Sequence, residues 1–309
     1  MAELARLFES LLQRWINPSA SLAQIVQLPE SAQDHSGATV HFYNVSYTTP
    51  ASPLTTITLV TKDAMLYERQ ILAWLNDQHL SHIPLSYTDD LTTNASQLLC
   101  QEFAGKRVPL SPTHIQSVAR ALAHLHAHNC GDSRHLPWMR QLRGTGFGLW
   151  WRQIWQRAIT NPDFVHEFRS YLPYIEPALA RFVQTVEQLW REEACLTVLH
   201  TDLSPWHVLV RDDHPYLIDW DQARYGPLYL DLPNFFTLET IVLYYEALVA
   251  RGLRLNYAEF LTRFHTTWCF VGLKYMVPYL DMWVEGERTA SREWLHTLLP
   301  RAIAKQASP

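Results

Sequence analysis

At 309 residues with 48% hydrophobic and 18% charged side chains, the chain is long enough for two lobes with cores of their own and too apolar for long disorder. A formal net charge of −5 supplies no attraction to a polyanion, so a nucleic-acid partner is not expected. Four scattered cysteines (Cys100, Cys130, Cys195, Cys269), with no CxxC pair, read as buried thiols of a reducing compartment rather than a disulfide frame or a zinc site.

Residues 1 to about 18, beginning MAELARLFESLLQRWI, have the spacing of an amphipathic helix and lack the apolar core and cleavage site of a signal peptide. From 20 to 62 the pattern turns strand-like in AQIVQL, ATVHFYNVSYTT and LTTITLVTK. MLYERQILAWLNDQ is helical by its spacing of Leu66, Ile71, Leu72 and Leu75; SQLLCQEF is a further strand and AGKRVPLSP a connector. Beyond Thr113 the chain reads as helices: THIQSVARALAHLHAH, FGLWWRQIWQRAI, YIEPALARFVQTVEQLWREE and aromatic-rich helices to the end. No apolar run reaches the ~18 residues of a membrane span, since WCFVGLKYMVPYLDMWV carries Lys274, Pro278 and Asp281. A cytoplasmic location without a membrane partner is therefore expected. The arrangement describes a two-lobed α+β protein, residues 1–103 forming a β-rich N-lobe and 104–309 a helical C-lobe, with a ligand cleft between them.

One hairpin interrupts the helices. In VLHTDLSPWHVLVRDDHPYLIDWDQ, Val208–Val210 and Tyr216–Ile218 are strand-forming and residues 211–215 have turn chemistry. Antiparallel pairing then sets His207, before the first strand, beside Asp219, after the second, with Asp202 on the loop leading in. Two carboxylates here suit a hard cation bridging phosphates, with one acid orienting a hydroxyl; the plain alternative is a pair of surface acids at strand ends. Lys62 on a strand ahead of Glu68 on a helix suits an ion pair that aims an ammonium at phosphate, or else an ordinary solvated pair.

HTDLSPWHVLV…YLIDWDQARYGPLYLDL resembles the catalytic segment of the aminoglycoside phosphotransferase and choline kinase-like family, relatives of the protein kinases. The shared features are His200-x-Asp202, Asp219-Trp220-Asp221, and Gly226-Pro227 with Asp231-Leu232. LLCQEFAGKRV resembles the family's hinge and VARALAHLHA the helix after it. The resemblance implies a protein kinase-like fold and an ATP- or GTP-dependent phosphotransferase acting on a hydroxyl of a small molecule such as an amino sugar, amino alcohol or sugar. It implies that Asp202 is the catalytic base, Asp219 a metal ligand, Lys62 the α/β-phosphate contact, Glu68 its holder, and Asp231 a structural acceptor of the loop's N–H groups. Gln101, Glu102 and Phe103 would face the adenine through main-chain groups.

Two departures open a second reading. His207 stands where the family has Asn, and as a ligand an imidazole suits Mn²⁺ better than Mg²⁺. The loop PESAQDHSG, expected to cover the phosphates, holds one glycine, Gly37. The alternative is a catalytically weak or inactive kinase-like protein that binds a ligand or partner. Two other features have plain readings. His124, His126 and His128 are helix-end histidines, and GTGFG (144–148) is no nucleotide loop because it lies outside a βαβ unit. The acceptor is open between the acids Asp281, Glu285 and Glu287, which suit an amine, and the arginines of 134–157, which suit an anion or sugar.

Overall fold

A computed structural model of the chain describes residues 2–33, 39–95, 97–131, 136–192 and 195–303. In chain order the elements are α1 (Ala2–Trp15), β1 (Ser21–Gln33), β2 (Thr39–Thr49), β3 (Ser52–Ala64), α2 (Leu66–Asp77), β4 (Ser86–Tyr87), β5 (Gln97–Glu102) and α3 (Pro112–His128). There follow α4 (Gly144–Ile159), α5 (Pro162–Phe168), α6 (Leu172–Leu189), β6 (Leu196–Leu199), β7 (Val208–Arg211), β8 (His214–Leu217) and β9 (Arg224–Pro227). The chain closes with α7 (Ile241–Ala250), α8 (Tyr257–Thr267), α9 (Cys269–Glu285) and α10 (Arg288–Ile303). The helices and strands expected from the sequence are present; β4, α5 and the β6–β9 pairing were not foreseen. Of the loop expected to cover the phosphates, PESAQDHSG (29–37), residues 29–33 instead continue β1, with Ser31 paired to His41, and residues 34–37, Gly37 included, lie outside the described residues.

The chain divides into two compact units, residues 1–121 with 205–222 and residues 122–204 with 223–309. The expected boundary at 103/104 differs from this division in two places. Residues 104–121 go with the sheet, and so does the β7–β8 hairpin, because Lys106 and Val210 exchange backbone hydrogen bonds of 3.0 and 2.9 Å.

In the first unit the antiparallel sheet runs β1-β2-β3-β5-β4. Strand period two sorts its side chains. Tyr43, Val45, Tyr47 and Leu59 face one way and bury against Leu4, Phe8, Leu11 and Leu12 of α1. Their neighbours Val40, Phe42, Thr58, Val60 and Lys62 face the other way and line a cavity. The amphipathic first helix thus covers one face of the sheet and leaves the other for a ligand.

The second unit is mostly helical. Its core is aromatic: Trp151 stacks on Trp155, and Phe164 packs edge-on against both Trp155 and Trp283. Two glycines of GTGFG, Gly144 and Gly148, serve packing here, while Gly146 faces open space. A Cβ on Gly144 would meet the Val183 carbonyl at 2.6 Å, so the residue lets α4 approach α6. Among the described residues, no helix is long and apolar enough to cross a membrane.

Candidate active site

The hairpin forms one residue out of the register expected: His207 stands opposite Ile218 rather than Asp219, and the loop shrinks from the expected 211–215 to two residues. Val208 pairs with Leu217 and Arg211 with His214, joined by a two-residue loop in which Asp212 and Asp213 have φ of 50° and 62°. Two successive left-handed residues are the signature of a type I′ turn, which Asp tolerates better than most residues. Pro215 sits opposite Val210, whose own N–H bonds Lys106 rather than β8, so the missing proline N–H costs no ladder bond. One step past the hairpin, Ile218 donates its N–H to the His207 carbonyl at 3.0 Å, which sets His207 beside Asp219. His207 Nε2 lies 3.6 Å from Asp219 Oδ2, and Asp219 is itself left-handed, with φ 68°.

Lys62 completes this cluster. Its Nζ is 2.6 Å from Glu68 Oε1 and 3.9 Å from Asp219 Oδ1, and the Lys62 and Glu68 side chains are only 11% and 8% exposed. The solvated-pair alternative is therefore excluded. Burial pushes the Glu68 carboxyl above its ordinary value, against the lowering pull of Lys62. Lys62 does not end its strand as expected, since β3 runs on to Ala64.

These groups close one end of a cavity of about 650 Å³, a size typical of small-ligand sites. Val40, Phe42 and Val60 line it from the sheet and Leu209 and Ile218 from the hairpin, while Lys62, Glu102, Lys106, Arg107 and Asp219 supply charged groups. Gln101, Glu102 and Phe103 line the same cavity. Their main-chain groups are less available than the sequence suggested. Phe103 donates its N–H to Thr58 at 3.1 Å and its carbonyl accepts from the Arg211 guanidinium, while Glu102 donates its N–H to Leu85 at 2.8 Å. The Leu85 N–H in turn goes to the Glu102 carboxylate at 2.9 Å rather than across the strand pair. Arg211, also 2.9 Å from Glu102, and Gly105 were missed. Gly105 has φ 100° and lies so close to Val210 that an added Cβ would stand 2.1 Å from its carbonyl oxygen.

Asp202 belongs to the second unit, three residues before the chain re-enters the first at Pro205. Asp231 accepts the backbone N–H groups of His200, at 2.7 Å, and Thr201, the role its resemblance implied. It is fixed in turn by His126, whose Nδ1 meets the Tyr244 hydroxyl at 2.7 Å and whose Nε2 lies 3.2 Å from Asp231. Burial keeps the Tyr244 phenol protonated, so it donates to Nδ1 and leaves Nε2–H to donate to Asp231. Asp202 Oδ1 accepts from Lys274 at 2.6 Å and from the Tyr275 hydroxyl, both on α9. Neither was anticipated; the available signal was a lone lysine inside the apolar run WCFVGLKYMV.

Several of the candidate acceptor groups have structural partners. Arg157 bonds Asp281 at 2.8 Å, Arg152 bonds Glu176 at 3.3 Å, and Arg143 stacks on the Trp190 ring at 3.5 Å. Asp221 accepts from Gln222 at 2.9 Å, as a turn acid does. Among the described residues no three His, Cys, Asp or Glu side chains group into a metal site. His207 and Asp219 would supply at most two protein ligands, leaving the rest of a cation's shell to phosphate oxygens and water.

A phosphotransferase enzyme family model, APH, matches residues 54–265, a span that includes β3 with Lys62, the Asp202 loop and the hairpin. The chain belongs to that family. Its members are kinase-like phosphotransferases whose acceptor is an alcohol group. Among solved structures, the protein resembles an AMP-bound spectinomycin phosphotransferase, APH(9)-Ia, at TM-score 0.59 and 14% identity, covering 98% of this chain and 99% of that one. It also resembles an ethanolamine kinase of Plasmodium vivax (TM-score 0.57, 12% identity, 97% and 88% covered). A choline/ethanolamine kinase family protein of Mesorhizobium loti is similar as well (TM-score 0.56, 12% identity, 98% and 94% covered). No curated protein sequence matches. The fold is thus the α+β protein kinase-like one expected, with a β-sheet N-terminal region and a helical C-terminal region.

Proposed function

We propose that the protein transfers the γ-phosphoryl group of ATP to a hydroxyl of a small molecule. The observation that carries this reading is the buried Lys62–Glu68 pair with Asp219 at a cavity whose walls include Val40, Phe42, Val60, Leu209 and Ile218. A flat base suits the apolar walls, and a polyphosphate suits an ammonium that Glu68 holds in place. The AMP-bound state of the spectinomycin phosphotransferase supports an adenine nucleotide over a guanine one. Lys62 would contact the α- and β-phosphates, and Asp219 would hold the Mg²⁺ that neutralises charge on the transferred group. Asp202 would accept the hydroxyl's hydrogen bond and steer its oxygen, so that catalysis consists of positioning and charge neutralisation. The first unit would serve the nucleotide and the second the acceptor. The free cysteines keep a cytoplasmic location as part of the proposal.

A weaker or purely binding function is the second reading, favoured by His207 in place of the family's Asn. Thermal-shift measurements with ATP, ADP and GTP, with and without Mg²⁺, together with a nucleotide-consumption screen over aminoglycosides, amino alcohols, sugars and nucleosides, separate the two. Adenine-nucleotide stabilisation with turnover on one acceptor class is the expected result. Stabilisation with no turnover anywhere would establish the binding-only reading. No stabilisation by any nucleotide would sink both uses of the cavity.

A further inference from the structure

We infer that Lys274, assisted by Tyr275, is the positioning residue of this reaction: it holds Asp202 as an ionised carboxylate of fixed orientation. The inference rests on the phosphotransferase reading above and concerns residues which that reading leaves without a role.

The loop from His200 to His207 contains no lysine or arginine, so any cation beside Asp202 must come from elsewhere in the chain. It comes from α9. Lys274 Nζ lies 2.6 Å from Asp202 Oδ1 and 2.8 Å from the Thr201 carbonyl oxygen. An ammonium held by two adjacent acceptors has a fixed direction, unlike the swinging tip of a surface lysine. The setting supports the same view. Lys274 and Asp202 are 19% and 21% exposed, and α9 buries Leu273, Met276 and Val277 around the lysine. A lysine on such a helix is costly unless it is paired.

Tyr275 adds a second donor to Oδ1 and itself accepts from Asn234 at 2.8 Å, which orients its hydroxyl. Burial first, and the Asp202 charge second, push the Tyr275 phenol far above its ordinary value. It therefore remains a donor at all working pH, and Asp202 Oδ1 accepts from it. Thr201 is left-handed, with φ 62°. A threonine holds such a backbone only where its surroundings over-determine it. Here Asp231 takes its N–H and Lys274 its carbonyl. The loop is thus gripped from both sides, and its carboxylate is aimed by one helix.

Among the described residues of this unit, the groups facing Asp202 include Lys274 and Tyr275 from α9, His200 Nδ1, which accepts its N–H at 3.3 Å, and Asp231, which holds the preceding loop N–H groups. Arg301 adds a positive charge near Tyr275. Of these, Lys274 is the cation in contact. Removing an opposite charge at this distance raises a carboxyl pKa by about 1–3 units.

The test compares Lys274→Met, Lys274→Arg and Tyr275→Phe with the wild type. Turnover is followed against pH, and the Asp202 carboxyl is titrated by ¹³C NMR in aspartate-labelled protein, its signal assigned by loss in Asp202→Asn. The expected result is an acid limb of turnover, and an Asp202 titration, both moved upward by about one pH unit or more in Lys274→Met. Tyr275→Phe, which deletes one hydroxyl, moves them less, and Lys274→Arg leaves them near the wild-type position. A lower turnover in Lys274→Met with an unmoved acid limb and titration overturns the inference and leaves the lysine a packing residue. The two readouts also separate the premises. An Asp202 titration that moves in a protein turning over no acceptor supports the charge pair and sinks the phosphotransferase reading.

Discussion

Replacing Lys62 by Met removes the ammonium 2.6 Å from Glu68 and leaves that carboxylate in a site where it is 8% exposed. Stranding a buried charge in this way costs about 3–5 kcal/mol when the charge remains. Glu68 has a cheaper course, which is to take up a proton. Protonation caps the cost at about 1.36 kcal/mol per pH unit above the ordinary carboxyl value of 4.5. The cap is about 3.4 kcal/mol at pH 7 and about 0.7 kcal/mol at pH 5. The sign follows from the direction of the shift: burial raises the folded-state pKa above the unfolded one, so stability is greatest below 4.5 and is lost as pH rises towards the folded-state value. In the wild type the same slope is shallower, because Lys62 pulls against burial. Urea denaturation of the wild type, Lys62→Met, Glu68→Leu and the double variant at pH 5 and 7 measures this. Lys62→Met should lose about 2–3 kcal/mol more at pH 7 than at pH 5. The double variant should be more stable than Lys62→Met alone at pH 7, because no buried charge is left behind. A pH-independent loss, or losses that simply add, would show that Lys62 and Glu68 are not a buried, coupled pair.

Asp202→Asn should lower turnover by about 10²–10⁴-fold, with an unchanged thermal melt; normal turnover would remove Asp202 from the chemistry. His207→Asn replaces an imidazole 3.6 Å from Asp219 with an amide oxygen, so the ratio of Mg²⁺- to Mn²⁺-supported activity should rise. An unchanged ratio would place His207 away from the metal. Gly105→Ala should destabilise by about 1–3 kcal/mol, read from the urea midpoint, because the residue is left-handed and its new Cβ would meet the Val210 carbonyl. A neutral substitution would mean that the connector and hairpin separate without cost.

What the sequence determined by itself is what neighbouring residues encode. Period-two and period-3.6 patterns placed most strands and helices, and two strand-like runs about a turn placed the hairpin with His207 and Asp219 at its base; its register, set by the two-residue Asp212-Asp213 turn, differs by one from that reading. The order of Lys62 and Glu68 across one strand–helix junction made their pairing legible for the same reason, since six residues separate them. Short segments escaped: β4 has two residues and α5 seven, too few for a period to register. Tertiary structure alone decided the surroundings of Asp202. Its two donors come from α9, 72 and 73 residues further along, and Asp231 is held by His126 across 105. It also committed the main chain of Phe103 to Thr58 and Arg211, and it tied Arg143, Arg152 and Arg157 to a tryptophan ring and two acids. No periodicity records such partners. They arise because packing leaves each buried polar group one reachable mate, and that choice is made by the assembled core rather than by the residues on either side.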